Sequence, residues 1–422
     1  MTGELGAIGL FVLAALLVSF ALDVVARWLN LRAARRRPPE VVADLYQPDE
    51  YARSQRYLQA RSRFGLVVEI VGLAALLGFW FAGGFGLVDR TARALELGAI
   101  PTGLVFVGIL GLLSALLSLP FDLWSTFVLE ERFGFNRTTL RTFVLDRVKG
   151  ALLALALGVP LLAAVFWLFE RAGGWAWLWC WALMAAVSVV AQIVVPAWIL
   201  PLFHRFERLE EGELRAAIEA YAERVGFPLE GVFVIDGSRR SSKANAFFTG
   251  LGRRKRIALF DTLVERHPVS ELVAVLAHEV GHFRLLHVPL GTLAGIAHTG
   301  LMLGLLQAVL WRDDLYRAFF VERPSVAVGL VLFGLLAAPL DRLLGIALHA
   351  LSRRHEHQAD RFAVETTGDP TAMTAALRRL SRDQLTNLTP HPLMVWLAYS
   401  HPPLARRLEA IAAAGPGRGH PI

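Results

Sequence analysis

The stretch VSELVAVLAHEVGHFRLLH carries two histidines, His278 and His282, with Glu279 directly after the first. Apolar residues at Leu272, Val273 and Leu276 recur with helical spacing, which predicts a helix running through the motif. Residues four apart on a helix share a face and stand one turn from each other. Two imidazoles so placed can hold one Zn²⁺ ion, which is the physical content of the H-E-x-x-H pattern. Zinc brings the pKa of water towards neutrality, so Glu279 beside it would be a sufficient base to take the proton. The bland alternative is a chance pentapeptide on a surface helix, and the otherwise histidine-poor segment argues against it.

A zinc ion needs a third protein ligand. The metzincin extension would require glycine at position 285 and histidine at 288, where Leu285 and Val288 stand. His287 is one residue off the helical face of the first pair. Downstream, LSRRHEHQADRFAVE offers His355, Glu356, His357 and Asp360. Successive helix residues point about 100° apart, so only one of the first three can face a metal. Glu356 and Asp360 share a face. That suits one carboxylate as a ligand and the other as a support for a ligand histidine through its second nitrogen. A solvated helix end is the alternative. A site-two type intramembrane metalloprotease would instead take an aspartate from PLDRLLG, which offers Asp341.

The elements that must position these groups are mostly membrane helices. The chain has 422 residues, 55% of them hydrophobic and 19% charged, with a formal net charge of +7. Disordered, collagenous and coiled-coil classes fail on that composition. The single cysteine, Cys180, excludes a disulfide scaffold and a four-cysteine metal site. About 20 apolar residues cross a bilayer, and seven stretches reach or approach that length. They run from Leu5 to Leu22, Leu66 to Val88, Ile100 to Leu119, Gly150 to Phe169, Gly174 to Phe203, Val288 to Trp311 and Ser325 to Leu340. The first lacks the basic start and cleavage site of a secretory signal, so it is expected to remain as a helix.

Basic residues mark alternate loops. Nine arginines fall between Val25 and Phe64, five basic residues between Asp122 and Lys149, and only two between Asp89 and Gly98. The positive-inside rule then puts the amino terminus outside and the carboxyl terminus in the cytoplasm. This accounts for the positive charge without nucleic acid. Forty arginines against three lysines point to a GC-rich coding sequence and hence a bacterial cell membrane, or the endoplasmic reticulum membrane in a eukaryote.

The expected organisation is helices 1–5 over 1–203, with cytoplasmic loops at 26–63 and 122–149. A cytoplasmic metalloprotease segment follows at 204–287, helices 6–7 at 288–351, and a cytoplasmic segment with the third ligand at 352–422. Within 204–287, LEEGELRAAIEAYAERVG reads as an amphipathic helix. GVFVID and RIALFD read as two strands flanking the turn-rich SRRSSKANAFFTGLG. Asp23, Glu69, His298 and Asp341 lie in or at the edge of apolar spans. Ionisable groups there face a bundle interior or pair with one another.

Several motifs together resemble the CAAX prenyl protease 1 family of multispanning zinc endopeptidases. They are YQPDEYARSQRYLQARSRFG, FVLEERFGFNRTTLRTFVLDRVKG, PAWILPLFHRFERLEEGELR, SKANAFFTGLGRRKRIALFDTLV, LAHEVGHF, SRRHEHQADRFA and SHPPLARRLEAI. The resemblance implies an all-α polytopic membrane protein. Seven transmembrane helices would surround an internal chamber, with a mainly helical zinc-metalloprotease region carrying a small β element. It implies that His278, His282 and Glu356 bind one zinc, Glu279 is the base and Asp360 supports a ligand histidine. It further implies that Asn245, His401 and Arg407 contact substrate. His401 would stabilise the oxyanion and count with the catalytic groups, and Arg407 would add charge or fix a carboxylate. Where the family usually has aromatics around the third-ligand glutamate, His355 and His357 stand here.

The expected function is hydrolysis of peptide bonds in a prenylated or membrane-associated peptide or protein, within the lipid bilayer and with no nucleic-acid partner. The remaining class is a transporter or scaffold with a structural zinc site.

Overall fold

A computed structural model describes residues 5–249 and 255–413. The tail from 414, and part of the turn-rich segment before RIALFD, lie outside those residues.

Among the described residues, seven helices are long and apolar enough to cross a membrane. They are α1 (Gly6–Ala33), α2 (Pro48–Phe81), α3 (Ala99–Glu130), α4 (Leu140–Arg171), α5 (Gly173–Phe203), α8 (His287–Val309) and α9 (Val326–Thr367). Between α5 and α8 lie the amphipathic α6 (Glu213–Arg224) and α7 (Val269–Arg284), and after α9 come α10 (Pro370–Asp383), α11 (Pro392–Ala398) and α12 (Leu404–Ala413). Large apolar side chains such as Leu112, Leu152 and Leu293 are exposed on the spans. On a soluble protein that surface would be a liability, but against lipid it is the favourable state. Burial along the apolar windows is sparse, from none in α5 to a third in α9.

Several helices outrun their apolar stretches. About two-fifths of the expected 26–63 loop is the start of α2, begun by Pro48 at the first helical position and by Glu50 accepting the Gln47 N–H at 3.1 Å. The second span ends at Phe81, not Val88, because Gly83 takes a left-handed φ of 72°. A short separate helix, Gly84–Arg93, follows. The expected boundary at 351 also falls inside a helix. α9 is 42 residues long, about 63 Å at 1.5 Å per residue. It opens on Ser325, whose side chain accepts from Val328 N, and closes on Gly368 in the left-handed conformation. Hydropathy marks where a helix leaves the apolar phase, not where its backbone hydrogen bonding stops.

The β element is larger than two strands. Its order is β1 (Phe206–Arg208), β2 (Leu229–Ile235), β4 (Lys255–Phe260), β3 (Ala246–Thr249). The two expected strands, β2 and β4, pair in parallel and do not form a hairpin. β3 arises inside the segment read as a turn and pairs antiparallel with β4 as an edge strand.

Two apolar cores result. One fills the bundle around Trp80, Phe106, Phe166 and Phe319. The other joins the sheet to α6, α7, α10 and α12 around Ile218, Leu259, Leu263 and Leu276. α9 belongs to both, through Leu332 and Phe333 in the first and Ala363 and Val364 in the second.

The four ionisable residues singled out in the apolar spans are paired. Asp23 takes both Arg342 amino groups at 2.6 and 2.9 Å, Arg27 pairs with Glu69, and His298 Nε2 lies 2.9 Å from Asp341.

Candidate metal centre

α7 is buried on most of its surface, with Leu272, Ala274, Leu276, Ala277 and Val280 all in the core. It packs on the polar half of α9. Gly281, between the two histidines of the motif, permits the close approach. A Cβ there would stand 3.1 Å from the Ala359 Cα and 3.2 Å from Phe362.

That crossing brings His278, His282 and Glu356 together, with one donor atom from each within 4.8 Å of the others. The two Nε2 atoms are 3.1 Å apart, Glu356 Oε1 is 3.3 Å from His282 Nε2, and Glu356 Oε2 is 3.5 Å from His278 Nε2. Ligands at about 2.0–2.1 Å around a tetrahedral zinc stand about 3.3–3.4 Å from one another, and each imidazole is near that spacing from the other and from one or the other oxygen of Glu356. Glu356 Oε2 is buried with no hydrogen-bond donor, which a metal would satisfy. Burial disfavours charge on His278, but contacts to Asp360 and Glu356 outweigh it and raise the imidazole to about 9. Two imidazoles and one carboxylate, with the fourth side left to solvent or substrate, are a catalytic rather than a closed structural donor set.

The surrounding groups are fixed from several elements. Asp360 Oδ1 lies 2.9 Å from His278 Nδ1. Arg407 on α12 clasps Asp360 with both Nε and Nη2, at 2.7 and 2.5 Å, and its Nη1 is 3.6 Å from Glu356. The guanidinium expected to meet substrate thus has Nε and Nη2 on a carboxylate behind the site, with Nη1 towards Glu356. Glu279 points into the same region, where burial pushes its carboxyl above the ordinary value while His278 and His282 pull it back. His401 stands at the rim, 61% exposed, with Nε2 3.3 Å from Glu356 Oε1 and Nδ1 2.9 Å from Ser400 Oγ. Asn245 is exposed immediately before edge strand β3, which packs on α7.

Asp341 is not in the cluster. It lies 15 positions before Glu356 on α9, about 22 Å along the axis, and its neighbour is His298.

The family described as the CAAX prenyl protease N-terminal, five membrane helices, matches residues 27–205, and peptidase family M48 matches residues 208–414. The chain belongs to the CAAX prenyl protease 1 family. Within it, the Saccharomyces cerevisiae CAAX prenyl protease 1 is 34% identical over 399 residues, covering 88% of each chain. An Arabidopsis thaliana CAAX prenyl protease 1 homolog is 36% identical over 382 residues, covering 88% of this chain and 90% of its own. The crystal structure of S. mikatae Ste24p superposes with a TM-score of 0.91 at 32% identity, covering 96% of this chain and 99% of that one. This family member is a multi-pass membrane metalloendopeptidase; the site-two and transporter readings are not favoured. One contact had no place in the sequence reading. His287, set aside as off the helical face, lies 3.0 Å from His282.

Proposed function

We propose that the chain is a zinc-dependent endopeptidase acting on the carboxyl-terminal tripeptide of prenylated CAAX substrates or on other membrane-associated peptides. The convergence of His278, His282 and Glu356 beside a half-buried Glu279 carries this reading. Its support on the substrate side is the description of the relatives as CAAX prenyl proteases.

In this reading His278 and His282 hold the ion through Nε2, and Glu356 holds it through its carboxylate. When bound, zinc polarises the scissile carbonyl and lets water lose a proton near neutral pH. Glu279 accepts that proton and returns it to the departing amine nitrogen. His401, at the rim, donates to the oxygen that gains charge. Asn245, at the edge of the sheet, holds the peptide backbone. Asp360 fixes the His278 tautomer, and Arg407 keeps Asp360 ionised. Arginine-rich alternate loops support a cytoplasmic metal site, with the amino terminus outside. The preference for arginine over lysine favours a bacterial cell membrane.

Detergent-purified protein is expected to hold one zinc per chain and to cleave a farnesylated CAAX peptide faster than its unprenylated counterpart, with a chelator stopping both. A zinc-loaded protein that cleaves neither peptide, with or without chelator, would remove the prenyl-substrate reading.

A substitution pair separates the third ligands. Glu356→Ala should lose the metal from a folded protein, because only two protein ligands remain, while Asp341→Ala should retain it. Metal analysis after dialysis distinguishes them, and the opposite result would move the ligand to Asp341.

A further inference from the structure

His278 and His282 are held by different chemistry. Behind His278 stands a charged carboxylate, Asp360. Behind His282 stands another imidazole: His287 Nδ1 is 3.0 Å from His282 Nδ1, and His287 Nε2 is 3.0 Å from Gln358 Oε1. His287 is itself buried, and its ring lies flat on His355 at 4.0 Å between centroids and 6° between planes.

The chain reaches this arrangement through a break in the helix. On a continuous helix a residue five positions after His282 would point about 140° away from it. α7 ends at Arg284, and Leu286 takes a left-handed φ of 57° before α8 opens at His287. A non-glycine residue at positive φ is uncommon and costs energy. Here the turn brings the imidazole at 287 back onto the motif it has just left.

We infer that His287 is a positioning residue, fixing the orientation and tautomer of His282 as an uncharged hydrogen-bond acceptor, with Gln358 and His355 holding His287 in turn. This rests on the reading of His278, His282 and Glu356 as metal ligands. The proton assignment has one consistent solution. His282 Nε2 faces the cluster and must keep its lone pair, so its proton is on Nδ1 and is donated to His287 Nδ1. The His287 proton is then on Nε2 and is donated to Gln358 Oε1. Reversing the chain would put a proton on His282 Nε2 and close that nitrogen to a metal. Gln358 and His355 flank Glu356 on α9, so the helix that supplies the third ligand also braces the second.

His287→Phe keeps the flat ring over His355 and removes the acceptor. His287→Asn loses the ring but keeps an acceptor oxygen near the position of Nδ1. Zinc affinity measured by competition with a chelator should fall about 10- to 100-fold in His287→Phe, the usual loss when such a supporting partner is removed. It should stay within a few-fold of wild type in His287→Asn. The thermal midpoint of the metal-free His287→Phe protein should match wild type, since the packing is preserved. His287→Phe binding zinc as tightly as wild type would overturn the inference, and so would His287→Asn binding as weakly as His287→Phe. A wild-type protein that binds no zinc, or a Glu356→Ala variant that binds it normally, would remove the metal site itself.

Discussion

Glu279→Gln is expected to lower kcat/KM for peptide cleavage by about 100- to 10,000-fold, the span over which a positioned general acid–base group contributes. Metal content should be unchanged. Glutamine keeps the shape of the side chain and its place on α7 between the two histidines, but cannot accept a proton at neutral pH. The three-residue donor cluster is His278, His282 and Glu356, without Glu279. Metal analysis and cleavage assays on the same preparation make the comparison. Retained activity would give proton transfer to another group, and loss of zinc together with activity would make Glu279 part of the binding site.

Arg407→Leu is expected to destabilise the extramembrane body by about 3–5 kcal/mol, the usual effect of removing one partner from a buried ion pair. The Asp360 side chain is 1% exposed and that of Arg407 12%. With the guanidinium gone, Asp360 would keep only His278 as a partner and would tend to take up a proton. His278 would then lose its charged support, and zinc affinity should fall with stability. Thermal scans and chelator competition on the variant measure both effects. A residue that instead gripped a substrate carboxylate would give a different pattern, with KM raised and the thermal midpoint unchanged.

Arg407 also shows where sequence reasoning stops. The SHPPLARRL motif marks position 407 as special but does not say what its guanidinium faces. Asp360 is 47 residues away in the chain, and only the packing of α12 on α9 joins them. Asp341 and Asp360 are both aspartates on the same helix, yet one pairs with His298 in the membrane and the other supports His278. The difference is their height along α9. Asp23 and Glu69 were legible as ionisable groups in apolar spans, but their partners, Arg342 and Arg27, come from other helices. β3 was missed because a four-residue edge strand owes its existence to β4 beside it.

What the sequence determined by itself was local or additive. The i, i+4 spacing places His278 and His282 on one helical face whatever surrounds it, and the run of apolar residues obliges each span to seek lipid. Arginine counts in the loops depend on no contact at all. The tertiary structure decided the long-range placements. It carried α9 unbroken from the membrane to the metal centre, so that Glu356 meets histidines from a different helix. It committed Arg407 to Asp360, and it turned His287 back onto His282 through one left-handed residue. These choices depend on which surfaces bury against each other, and no window of neighbouring residues contains that information.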